Sequence, residues 1–145
     1  MNKDQLIREY HKLVKELNEP AHRVVLSAGS ALVMMGVRPC TNDMDVDIPG
    51  NVFRWASISR NVIHEENVSP RVAYNEFVDL HELSDNTGVV CIDGVWVYSP
   101  NELLLQKRHL ASMPNRAPNK REKDLMEIVQ LESLVRSPKL TARMA

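Results

Sequence analysis

The chain has 145 residues, of which 43% are hydrophobic and 26% charged, with a formal net charge of -1. That length suits one domain able to bury roughly two thirds of its unfolded surface, and the ordinary composition favours neither disorder nor a membrane class. No apolar run approaches the ~18 residues that span a bilayer, and the chain opens on a charged amphipathic segment rather than a signal peptide, so a cytoplasmic protein is expected. Cys40 and Cys91 have neither metal-ligand spacing nor the density of a disulfide scaffold, so reduced thiols are expected. A net charge near zero argues against a general nucleic-acid coat, which leaves the partner to be argued from a site.

Leu6, Ile7, Tyr10, Leu13, Val14 and Leu17 recur at helical spacing among charges and stop before Pro20, which predicts an amphipathic helix over 2–18. Val24 to Ala28 form a short apolar run ending at Gly29, and Ser30 to Met35 read as a helix stopped by Gly36. That sequence is strand, tight turn, helix. After a polar loop with Pro39, Asp43 to Ile48 alternate between carboxylate and apolar side chain until Pro49-Gly50, so a strand with one charged face is expected. Val52 to Ile63 fit a helix only loosely, through Val52, Trp55, Ala56 and Ser59. Phe77 to Leu83 alternate again, with Val78 and Leu80 on one face and Phe77, Asp79 and His81 on the other, as a second acid-bearing strand. Val89 to Ile92 and Val95 to Tyr98 flank Asp93-Gly94, which suits the two positive φ angles of a type I′ hairpin turn. Ser99-Pro100-Asn101-Glu102 combines an N-cap serine, a proline at the first helical position and a glutamate placed for a capping box. The helix it starts runs to Met113, before Pro114, and a last helix covers about Lys120 to Val135. The organisation expected is one domain over 1–136, with a core over 22–98, helices over 100–135 and a tail over 137–145.

The chemistry lies in Gly29-Ser30 on the strand, turn and helix, followed by Asp43-Met44-Asp45 on the next strand. A glycine ahead of a helix lets backbone N–H groups and a serine hydroxyl approach phosphate oxygens, and the helix N-terminus favours an anion. Alternation sets Asp43, Asp45 and Asp47 on one strand face, with successive acids about 6 to 7 Å apart, so a divalent cation would relieve their repulsion. Such an arrangement suits phosphoryl or nucleotidyl transfer, in which a metal bridges the triphosphate. Asp79 is the best third carboxylate, as metal ligand or base, and His81 follows it on the same face. Each feature alone has an ordinary explanation, since small-residue turns are common and acidic strand faces are often just solvated. A calcium loop would want glycine where Ile48 stands and glutamate where Arg54 stands. An aspartyl-phosphate phosphatase would leave the glycine-serine turn unexplained.

Leu26-Ser27-Ala28-Gly29-Ser30-Ala31-Leu32, followed by Arg38, Thr41, Asp43 and Asp45, resembles the signature of the nucleotidyltransferase superfamily with its polymerase-β-like fold. It looks most like the small bacterial nucleotidyltransferases of abortive-infection and toxin-antitoxin systems. Ser99-Pro100, Lys107 and Lys123-Asp124 match, in order, landmarks of that family's C-terminal third. The resemblance covers about 22–135 and implies an α+β fold, a mixed sheet flanked by helices. It implies Asp43, Asp45 and Asp79 as ligands of Mg2+ or Mn2+ and as the catalytic acids, with Gly29, Ser30, Arg38 and Lys107 toward the nucleotide. The activity implied is transfer of a nucleoside monophosphate from a triphosphate such as ATP to a hydroxyl on a protein, RNA or small molecule. The alternative is a catalytically idle member that binds a partner as inhibitor, antitoxin or regulator, and a homodimer or partner protein suits so small a chain. Asp47 is an extra acid relative to the family pattern. Asp124 shares the stripe of Ile128, Leu131 and Val135, so it is expected to face inward and orient Lys107 or an arginine. The excess of basic residues between Lys107 and Lys123 is either a solvated face or an anion site.

Overall fold

The computed structural model describes residues 1–65, 68–83 and 88–137. The expected tail therefore lies, from residue 138 on, outside the described residues. Helix α1 spans Lys3–Leu17; Asn2 and Gln5 close a reciprocal capping box at its start, and Asn18 ends it in the left-handed conformation. Its Leu6, Tyr10 and Leu13 are buried in the core. Strand β1 is Val25–Ser27, and helix α2 is Ala28–Met34. The helix thus starts at Ala28 rather than at Ser30, so Gly29 and Ser30 belong to its first turn. Ala28 makes the corner itself at φ 49°, a left-handed angle that glycine would adopt more readily.

Strand β2 is Met44–Ile48, and helix α3, Gly50–Ser57, buries Val52 and Ala56 while Trp55 stays 52% exposed. Of the four residues at loose helical spacing, Val52 and Ala56 form the buried side, and the helix ends before Ser59. The chain instead turns into strand β3, Val62–Glu65, and strand β4, Val68–Ala73, which the sequence pattern had not revealed. Strand β5 is Val78–Glu82, and the hairpin of β6, Val89–Ile92, and β7, Val95–Tyr98, turns on Asp93 and Gly94, both at positive φ. Helices α4, Pro100–Ser112, and α5, Pro118–Val135, pack on each other. Ser99 accepts from the Glu102 N–H, but its own N–H is donated to the Gly88 carbonyl, so the expected reciprocal bond from Glu102 has no donor to take.

Among the described residues the strands form one mixed seven-stranded sheet in the order β3-β4-β5-β2-β1-β7-β6. The pairs β2–β5 and β1–β7 are parallel and the others antiparallel. Met44, Val46, Ile48, Val72, Val78 and Leu80 are all buried, at 2% exposure or less. Strand alternation therefore turns Asp45, Asp47, Asp79 and His81 to the opposite face.

Candidate active site

Parallel pairing of β2 with β5 sets Asp45 directly beside Asp79, and Asp47 beside His81. Adjacent strands lie about 4.8 Å apart, so the two acid rows are close neighbours. They line an open cleft of about 530 Å³, whose acids are Asp43, Asp45, Asp47, Asp79 and Glu65. Arg71 and Ser69 of β4, His81 of β5, Ser27 and Ala28 at the β1–α2 corner and Gln106 of α4 complete its wall. The loop ahead of the acids is fixed by Thr41, whose Oγ1 donates to the Asp43 carbonyl at 3.1 Å and whose N–H donates to the Met1 carbonyl at 3.0 Å.

The acids are not equivalent. Asp47 accepts from the Tyr98 hydroxyl at 2.5 Å and from Ser27 Oγ at 3.3 Å, and burial holds its pKa above the ordinary carboxylate value despite those bonds. That is the setting of an internally satisfied carboxylate. Asp79 is also raised, first by burial and then by the charges of Asp45 and Asp43, with Arg71 Nε 3.9 Å away pulling the other way. His81 Nε2 lies 3.4 Å from Asp45 Oδ1. Burial lowers the pKa of His81, but the bond to Asp45 and the charges of Asp47, Asp45 and Asp79 outweigh it, so the net shift is upward. Arg71 is shared between Glu65, at 2.8 Å, and Asp79.

Gly29, Ser30, Arg38, Lys107 and Asp124 are not among the residues lining this cleft. Ser30 is fully buried, with Oγ 2.7 Å from the Ser27 carbonyl and 3.1 Å from that of Asp45, and so ties α2 to β1 and β2. A Cβ on Gly29 would stand 2.4 Å from Arg38 Nη1 and 3.0 Å from Thr41 Oγ1. Glycine is therefore required there by the passage of Arg38, whereas the side chain facing the cleft belongs to Ser27. Arg38 forms two 2.9 Å bonds to Glu127, and Lys107 Nζ lies 3.0 Å from both Glu127 and Asp124. Arg116 adds bonds of 2.8 and 3.1 Å to Asp124. Lys107, on the leucine-bearing side of its helix, is thus engaged in a largely buried network with two acids. Burial alone would raise Asp124 and Glu127, but their bonds to Arg116, Lys107 and Arg38 hold both pKa values below the ordinary range. Glu127, the acid that holds both Arg38 and Lys107, was not evident from sequence. Its one signal is a place three residues after Asp124, beside Ile128 and Leu131.

The donor chemistry fits a hard divalent cation. Asp45 and Asp79 face each other across a ladder, and the carboxylate of exposed Asp43 has no partner among the described residues. Carboxylate oxygens completed by water and phosphate oxygens are the usual surroundings of Mg2+. Among the described residues no group of three or more His, Cys, Asp or Glu side chains is already gathered for a metal ion.

No protein-family model matches this chain, and no curated protein matches it in sequence. Its structure is similar to a crystal structure of ANT(2")-Ia in complex with adenylyl-2"-tobramycin, with a TM-score of 0.57 over 97% of this chain and 93% of that one. The fold is that of a polymerase-β-like nucleotidyltransferase. At 15% identity the likeness concerns the fold alone. In this nucleotidyltransferase fold the paired acid strands, the β1–α2 corner and α4 surround one cleft. No helix among the described residues is long and apolar enough to cross a membrane.

Proposed function

We propose that the chain is a metal-dependent nucleotidyltransferase, moving a nucleoside monophosphate from a nucleoside triphosphate to a hydroxyl acceptor with release of pyrophosphate. The observation that carries this reading is the pairing of Asp45 with Asp79 beside Asp43, within a cleft that also contains the β1–α2 corner. Asp43, Asp45 and Asp79 are the residues to hold Mg2+ or Mn2+. The metal would supply charge neutralisation on the triphosphate. Asp79, beside Asp45 on the neighbouring strand, is the carboxylate placed to receive the proton of the acceptor hydroxyl. The phosphate side of the cleft is assigned to Ser27, Ala28 and the start of α2. The cleft acids outnumber Arg71 and His81, which favours a neutral or cationic small-molecule acceptor over RNA. ANT(2")-Ia, crystallised with an adenylylated tobramycin, is consistent with that choice.

A second reading, an idle relative that binds a partner protein as an antitoxin or regulator does, draws on the contacts of His81 with Asp45 and Arg71 with Asp79. Those side chains already partner two of the acids proposed to hold the metal. Incubation with each radioactive triphosphate and Mg2+, followed by mass spectrometry of the protein and candidate acceptors, tests the first reading. A nucleotide-sized addition that disappears in Asp45→Asn is expected. Absence of both transfer and triphosphate binding in the unaltered protein would favour the second.

A further inference from the structure

Beside the acidic cleft lies a smaller recess of about 60 Å³, lined by Ala28, Leu32, Leu103, Gln106, Lys107 and Leu110. Ala28 and Gln106 belong to both walls, so the two cavities adjoin at the β1–α2 corner. We infer that this recess receives one edge of the nucleobase, and that Gln106 is the residue that discriminates between bases.

The inference rests on the nucleotidyltransferase reading above and adds the direction in which the nucleotide lies. Phosphates over Ser27 and Ala28 leave two ways for the nucleoside, toward β4 or toward α4. The β3–β4 wall offers Glu65, Ser69 and Arg71, and Ala28 is the one apolar residue lining the cleft among those described. The α4 side offers aliphatic side chains from Leu32, Leu103 and Leu110. A nucleobase has apolar faces and a hydrogen-bonding edge, so it fits an apolar slot carrying a few polar groups. Gln106 supplies such a group. It is half-buried, and its amide has no hydrogen-bond partner among the described residues. A carboxamide offers donor and acceptor together, which suits reading a base edge rather than a phosphate. Lys107, the neighbouring residue, is committed to Asp124 and Glu127, so its stem contributes wall and its charge does not compete. The recess is too small for a whole ring, which leaves the rest of the base over α4 and the acceptor on the β4 side.

The test is calorimetric titration of the full chain with ATP, GTP, CTP and UTP in Mg2+, with Mg2+-tripolyphosphate as a base-free probe. In the unaltered protein the four affinities should differ. Gln106→Ala should narrow the span between best- and worst-bound base by roughly three- to tenfold, the worth of one neutral hydrogen bond, with tripolyphosphate affinity unmoved. Gln106→Glu, of the same shape but acceptor-only when ionised, should change which base binds best. The inference is overturned if the unaltered protein binds all four bases equally, if Gln106→Ala leaves the span intact, or if it weakens all five probes by one factor. Failure of the unaltered protein to bind any probe would overturn the nucleotidyltransferase reading along with it, whereas binding lost only in Asp45→Asn separates the two.

Discussion

Replacing Asp124 by asparagine removes one acid from the network that ties α4 and α5 to the loop after α2. Asp124 is 1% exposed and takes Lys107 at 3.0 Å and Arg116 at 2.8 Å. Removing one member of a buried ion pair costs about 3 to 5 kcal/mol, because the partner charge is left uncompensated. Here Glu127 still holds Lys107 and Arg116 is 22% exposed, so the lower end applies. A loss of about 3 kcal/mol at roughly 2 to 4 °C per kcal/mol lowers the midpoint by about 6 to 12 °C. The pH dependence follows from the sign of the shift. Since the folded pKa of Asp124 is depressed, its contribution is complete above the unfolded value of about 3.9. It is lost as pH falls through the folded pKa. Thermal melts and urea titrations of both proteins from pH 7 down to about pH 2 measure this, and the gap between them should begin to narrow only below about pH 4. A midpoint at pH 7 within a degree or so of the parent, or a gap that persists undiminished into acid, would refute the assignment of Asp124 as an ionised member of the network.

Gly29→Ala should destabilise by about 1 to 3 kcal/mol through overpacking against Arg38, and the Gly29→Ala/Arg38→Ala double variant should lose less than the sum of the two single losses; urea midpoints of the four proteins in the cycle check it. Ser30→Ala should cost about 1 kcal/mol of stability through its two buried carbonyl contacts, whereas Ser27→Ala should weaken Mg2+-triphosphate binding more than it lowers the melting temperature. Asp47→Asn should fold at least as stably at pH 7 as at pH 5 relative to the parent, since a raised folded pKa makes the ionised acid increasingly unfavourable as pH rises. Its triphosphate binding, measured by calorimetry, should persist where that of Asp45→Asn is lost. Gly94→Ala, at φ 81°, should cost about 1 kcal/mol or more in the β6–β7 hairpin, read from the thermal midpoint.

The legible parts of the chain were those with one dominant local signal. The spacing from Leu6 to Leu17, the alternation across Asp43–Ile48, and the Asp93-Gly94 pair each have a single comfortable backbone solution. Strand β4 was hidden because Pro70 interrupts its pattern, and with it went Ser69 and Arg71 on the cleft wall. The polar segment ahead of it masked β3 in the same way. Helical spacing alone also left open which of Val52, Trp55 and Ala56 is buried, and Trp55 turns out to be exposed near Arg60.

The sequence by itself determined the acid-bearing strands, the presence of a turn between β1 and α2 though not the residue that makes it, and the inward face of Asp124, because alternation is written over a few neighbouring residues. Tertiary structure alone decided what each polar group meets. The parallel register joins Asp45 to Asp79 across 34 residues of chain, and it separates both from Asp47, which Tyr98 claims. Glu127 lies 89 residues from Arg38, and their contact gives Gly29 its reason and withdraws Arg38 from the cleft. Charge and spacing along a chain state what a side chain can bind; only packing brings a partner within 3 Å, where a lysine is either free for a phosphate or held by two buried acids.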